Sequence, residues 1–144
     1  MRFPYRGAGI ALLRQKDDTF EVLLGKRSVR LFKGCWTVPG GGFEKGRDAD
    51  DMAAAKREFL EETSAEVPFD AKTMGKWTLR APFFKWTTFV MLTEKGDFET
   101  HPDEFSELRW TKLGETGKMK TRPFTGPEMR KVARLCRKTS LRKQ

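Results

Sequence analysis

Gly40-Gly41-Gly42-Phe43-Glu44-Lys45-Gly46-Arg47, followed by a run from Asp48 to Thr63 that contains Arg57-Glu58-Phe59-Leu60-Glu61-Glu62, is the stretch on which the reading of this chain turns. A glycine-rich backbone turns sharply and lets a phosphate approach closely. The run after it holds neither Gly nor Pro and is rich in Ala, Glu, Lys and Leu, which predicts a helix over Asp48–Thr63. At about 100° per residue, Glu61 lies about 60° to one side of Glu58 and Glu62 about 40° to the other. Three carboxylates therefore share one face, and Asp51 falls on the same stripe two turns earlier. Met52, Ala55 and Phe59 occupy an adjacent arc suited to a core. Like charges at this spacing cost a helix a few tenths of a kcal/mol per pair, roughly. Lys56 and Arg57 offset part of that, and a divalent cation offsets more.

Hard cations choose carboxylate oxygens, and Mg²⁺ commonly bridges carboxylates to a substrate phosphate. Zinc chemistry is disfavoured, because His101 is the only histidine and neither Cys35 nor Cys136 lies near the acidic stripe. A carboxylate face for metal beside a flexible glycine loop points to metal-assisted attack of water on a phosphate ester or anhydride. An acidic exposed helix and a glycine run are each ordinary surface features. Only their conjunction, in this order and at this distance, carries the reading.

Around that centre, Gly7–Leu13 and Phe20–Leu24 are apolar runs separated by Gln15–Thr19, a predicted hairpin. Lys33–Gly42 reads as a loop with a short strand at Trp36–Val38. Met74–Arg80, Phe84–Thr93 and Phe105–Thr111 read as strands. Pro127–Lys138 reads as a second helix, with Met129, Val132, Leu135 and Cys136 on one side. Mixed strands and helices, with a hairpin, imply one α/β domain over residues 1–144, a mixed sheet covered by helices.

Composition sets the outer bounds. The chain has 144 residues, 38% hydrophobic and 34% charged, enough for one ordinary core and unlike collagen, a coiled coil or a disordered chain. No apolar run approaches the roughly 18 residues that span a bilayer, and the first residues lack the apolar stretch of a secretion signal, so no membrane partner is expected and the cytoplasm is the expected location. Two cysteines make neither a disulfide framework nor a metal-ligand pattern. The net charge of +9 resides entirely in residues 118–144, which hold ten Lys/Arg and one Glu. Such an end is a solvated helix face or a grip for phosphate or RNA.

The central stretch resembles the Nudix hydrolase pattern: Gly, five residues, Glu, seven residues, Arg-Glu-apolar, one residue, Glu-Glu, one residue, Gly. Gly41 supplies the first Gly and Arg57-Glu58-Phe59-Leu60-Glu61-Glu62 the core. The segment between them is two residues longer than the pattern. Its first Glu falls on Arg47 counted from Gly41, or on Ala49 counted back from Arg57, with Asp48, Asp50 and Asp51 close by. Ser64 stands where the final Gly would be. The resemblance implies an α/β/α sandwich that cleaves a nucleoside diphosphate linked to another moiety. It implies Mg²⁺ or Mn²⁺ held by Glu58, Glu61, Glu62 and the Gly41 carbonyl, with Arg57 orienting the glutamates. A late acidic loop residue is expected as ligand or general base, Glu104 first and Glu107 second. Asp51 is the expected substitute for the missing box glutamate, and Glu44 is an outer residue of the site or plain surface. Arg27, with Lys26 and Arg30, is a candidate for substrate phosphates, and Phe84 and Trp86 for a stacked base. A small nucleotide is the expected substrate: a nucleoside diphosphate sugar, a dinucleoside polyphosphate or an oxidised nucleoside triphosphate. The alternatives are a 5′-phosphorylated RNA end held by the basic helix, and a non-catalytic nucleotide-binding module. The oligomeric state stays open between monomer and homodimer.

Overall fold

Asp17 and Asp18 both take positive φ, 49° and 62°, which closes β1 (Tyr5–Lys16) onto β2 (Thr19–Arg27) through a two-residue turn. Two successive left-handed residues give the turn whose twist matches that of paired strands, and Asp tolerates this backbone better than most residues. The structure, a computed structural model, describes residues 4–28, 31–94 and 105–142, with side chains as far as residue 139. The further elements are β3 (Trp36–Thr37), β4 (Gly40–Gly42), α1 (Asp51–Thr63), β5 (Lys72–Ala81), β6 (Phe84–Thr93), β7 (Phe105–Lys112), a 3₁₀ turn (Leu113–Lys118) and α2 (Thr125–Arg142).

Among the described residues seven strands form one mixed sheet. β1 runs parallel to β6 from the Tyr5–Phe84 pair to the Arg14–Thr93 pair, and β5 lies antiparallel on the far side of β6. The other edge of β1 is divided: Leu13–Lys16 pairs with β2, and Gly7–Gly9 pairs with β4. β2 in turn pairs with β7 and, through Gly25 and Lys26, with β3. Gly40–Gly42 is thus a strand and not the loop its composition predicts. Three glycines leave no side-chain alternation to read, yet their backbone groups pair with β1 as any others would.

β1 alternates between two faces. Ala8, Ile10 and Leu12 join Leu23, Ala54, Ala55, Phe59 and Met91 in a cluster under α1. Ala11 and Leu13 join Val22, Leu24, Trp36, Trp86, Val90 and the α2 residues Met129, Val132 and Cys136 on the opposite face. The period of two along β1 and the helical spacing on both helices therefore give the expected α/β/α layering. Leu135, at the same helical spacing, packs against this second cluster half-buried.

α1 begins later than predicted. Asp50 is the N-cap: its φ is −156° and its carboxylate accepts the Ala53 N–H at 2.8 Å. Asp48 lies outside the helix and is buried. The helix ends at Ser64, whose φ of 61° is left-handed and whose N–H donates to the Leu60 carbonyl at 2.8 Å. A serine here does the work for which glycine is the usual choice.

Candidate active site

β4 and α1 meet at Gly41 and Glu58. A Cβ on Gly41 would sit 2.5 Å from the Glu58 carboxyl carbon, so only glycine lets this strand lie against that carboxylate. Arg57 ties the two elements together. Its Nε and Nη2 donate to the two oxygens of Asp48 at 2.9 and 2.8 Å, and Nη2 also donates to the Gly42 carbonyl at 2.8 Å. Its Nη1 donates to Glu58 at 3.0 Å and to Glu61 at 3.2 Å. One guanidinium thereby fixes the loop carboxylate, the glycine strand and two glutamates, which a lysine with its point charge would not do. Asp48 also accepts the Glu44 backbone N–H at 2.8 Å. The Arg57 hydrogen bonds outweigh burial and hold the Asp48 carboxyl down to about 2, while Asp48 raises Arg57 further above its ordinary range.

The three box glutamates differ in exposure. Glu61 is the most open, with 38% of its side chain exposed, and Arg47 reaches it at 3.3 Å. Glu58 is 13% exposed at the side chain and Glu62 only 3% as a residue. Among the described residues no group of three or more Asp, Glu, His or Cys side chains forms a ready-made metal cage. The donor set nevertheless suits a hard divalent cation: carboxylate oxygens on one helix face and a glycine backbone held against them. Mg²⁺ is ordinarily held by one or two carboxylates together with substrate phosphates, so an all-protein cage is not required.

The carboxylates form one wall of a cavity of about 390 Å³. The rest of its lining is largely aromatic and cationic: Tyr5, Phe84, Phe124, Arg27, Arg122 and the buried Trp86. Tyr5 and Phe84 stack at 5.4 Å between ring centroids, and Phe124 tilts against Trp86 at 5.7 Å. The cavity thus gathers Gly41, Glu58, Glu61 and Glu62 with the anticipated Arg27, Phe84 and Trp86, and with Glu44. Arg27 is anchored by its Nε–H on the Leu31 carbonyl at 2.8 Å. Glu107 pairs with Arg109 at 2.9 Å and does not line the cavity. Glu104, Arg30 and His101 lie outside the described residues. Asp51, the expected substitute for the missing box glutamate, is not among the residues lining the cavity. Its carboxylate is held by Arg6 at 2.8 Å and approached by Lys85 at 3.6 Å, because those strand residues lie under the first turn of α1. Among the acids just before α1 and at its start, it is Asp48 that pairs with Arg57.

Sequence reasoning missed Tyr5, Arg122 and Glu128. Arg122 and Glu128 are 6% and 0% exposed. They sat inside what read as a solvated basic end, and no spacing rule separates a buried arginine there from its exposed neighbours.

The NUDIX domain model matches residues 4–135. The chain belongs to the Nudix family. As a Nudix hydrolase it acts on phosphoanhydride bonds, and the family generally uses divalent cations. Solved structures agree on the fold. A Nudix hydrolase from M. smegmatis, RenU, superimposes with a TM-score of 0.80 at 18% identity, covering 96% of this chain and 89% of that one. A C. elegans Ap4A hydrolase gives 0.74 at 20% identity over 92% and 97%. The Nudix domain of Shewanella oneidensis NrtR, in complex with ADP ribose, gives 0.68 at 20% over 93% and 88%. No curated protein matches. In this Nudix chain the two-residue insertion leaves the box's first acidic position on neither count, and Asp48, between Arg47 and Ala49, is the carboxylate that Arg57 grips. No helix among the described residues is long and apolar enough to cross a membrane.

Proposed function

We propose that the cavity hydrolyses a nucleoside diphosphate linked to another moiety, with water attacking the diphosphate. The observation that carries this reading is the make-up of one cavity, lined both by Glu58, Glu61 and Glu62 and by Arg27 and Phe84. A nucleotide is the ligand whose charged and planar parts match such a lining. Glu58, Glu61 and Glu62, with the Gly41 carbonyl, hold Mg²⁺ or Mn²⁺. When bound, the metal supplies charge neutralisation on the diphosphate and a more acidic water. Arg57 holds Glu58 and Glu61 in place, and Asp48 and the Gly42 carbonyl hold Arg57. Arg27 neutralises phosphate oxygens, and Phe84 offers the surface for a base. Trp86, expected from the sequence to stack one as well, is only 2% exposed, packed in the core beneath Arg122 and Phe124, and supports that surface from behind. Glu104 takes the proton from the attacking water. One structural neighbour is an Ap4A hydrolase and another is complexed with ADP ribose, and both molecules are nucleotides of this broad class.

A panel of diphosphate-linked nucleosides, dinucleoside polyphosphates and nucleoside triphosphates, incubated with Mg²⁺ and read by product mass, tests the reading. Release of a nucleoside monophosphate, or of the corresponding phosphate product, is the expected result. Binding of panel members without turnover in Mg²⁺ and Mn²⁺ overturns it and leaves a nucleotide-binding module.

A further inference from the structure

Arg122 lines the active-site cavity, yet it is 6% exposed and its Nε and Nη2 reach no hydrogen-bond partner. These two atoms form one edge of the guanidinium, with two roughly parallel N–H donors. Arg57 uses the same edge on Asp48 in this chain. The Arg122 plane is fixed by its neighbours, with the guanidinium carbon 4.6 Å from the Trp86 ring centroid and 4.3 Å from that of Phe124. Trp86 is locked in turn: its Nε1–H donates to the Thr88 hydroxyl at 2.7 Å, and that hydroxyl donates to the fully buried Glu128. Through space Arg122 feels Glu128, Tyr5 and Glu62 as well as Arg27; burial pushes the Glu128 carboxyl up, and its Oε1, like the Arg122 fork, makes no hydrogen bond. A buried charged donor left unsatisfied is costly, and a rigid fork of two such donors calls for two adjacent acceptors.

We propose that Arg122 is a specificity-determining residue of this cavity, its Nε/Nη2 fork holding two adjacent acceptors of the bound nucleotide. The inference rests on the nucleotide reading above and deepens it. Two parts of a nucleotide present such a pair: the N7/O6 edge of guanine, and two oxygens of one phosphate group. Adenine offers a donor in place of O6, which would face a donor of the fork. The aromatic surroundings of Arg122 suit the base, and the neighbouring Arg27 suits the phosphate.

Calorimetric titration with GMP, AMP and inorganic pyrophosphate, for wild type and for Arg122→Lys, separates these sources. Lysine keeps the charge and removes the fork, and Arg122→Gln serves if the lysine variant does not fold. A fork on guanine gives wild type a GMP-over-AMP preference of roughly 10- to 100-fold, which the variant loses. A fork on phosphate gives equal binding of the two monophosphates, weakened alike by roughly 10-fold in the variant together with pyrophosphate. Binding of all three probes within about twofold of wild type, in a variant with an unchanged melting curve, overturns the proposal. The titration reads binding without turnover, so it stands apart from the hydrolysis panel. Turnover with an indifferent Arg122 defeats this inference alone, and Arg122-dependent binding without turnover defeats only the hydrolytic reading.

Discussion

Replacing Asp48 with Asn removes one charge from the most buried ion pair of the site while keeping its volume. Asp48 has 2% of its side chain exposed and Arg57 11%, and they meet through two hydrogen bonds of 2.9 and 2.8 Å. Removing one partner of a buried pair costs about 3–5 kcal/mol when the other is left with nothing. Arg57 keeps Glu58, Glu61 and the Gly42 carbonyl, so the lower end applies. The depression of Asp48 from 3.8 to about 2 gives an independent figure of about 2 kcal/mol. The expected loss in urea denaturation at pH 7 is therefore about 2–3 kcal/mol. The pH dependence has a definite sign. A carboxyl depressed on folding contributes stability above its unfolded value and loses it as pH falls, here between about 4 and about 2. The gap between wild type and Asp48→Asn should shrink over that window. Turnover should fall roughly 10- to 100-fold, because Arg57 no longer fixes Glu58 and Glu61 against the glycine strand. Unchanged stability at pH 7, or a deficit that does not shrink in acid, would refute the placement of Asp48.

Gly41→Ala places a methyl 2.5 Å from the flexible end of Glu58, so stability in urea should stay within about 1 kcal/mol while kcat falls roughly 100-fold. Ser64→Gly at φ 61° should raise stability by about 0.5–1 kcal/mol in the same assay, because glycine takes the left-handed cap without steric cost. Reversing charge at the exposed Arg137 and Lys138 should leave small-nucleotide turnover within about twofold at 0.15 M salt, where screening acts beyond about 8 Å. If α2 grips RNA, the same change lowers the salt slope of RNA binding by roughly two.

The strands and helices were legible because the core is patterned at their periods. β1 alternates between faces as its sequence does, and Ala55 and Phe59 face the sheet as their spacing on α1 requires. The carboxylate face was legible for the same reason. Illegible were features whose meaning depends on distant residues. Gly40–Gly42 forms a strand because β1 offers it an edge. Asp51 turns to Arg6 and Lys85, and the helical stripe that aligned it with Glu58 says nothing of cations on strands beneath. Asp48 looked like one acid among three, and only the folded loop shows which one Arg57 selects. Arg122 looked like one cation of a basic end, and only the fold sets it over the adjoining rings of Trp86 and Phe124.

Metal binding by the α1 carboxylates is tested most directly by the Mg²⁺ dependence of turnover for wild type and Glu62→Gln, on whichever nucleotide the panel identifies. The variant keeps size and removes charge at a position 3% exposed on the cavity wall. The expected rate is lower by roughly 100-fold or more, with a raised Mg²⁺ requirement and an unchanged circular dichroism spectrum. Wild-type turnover and wild-type Mg²⁺ dependence in the folded variant would contradict it.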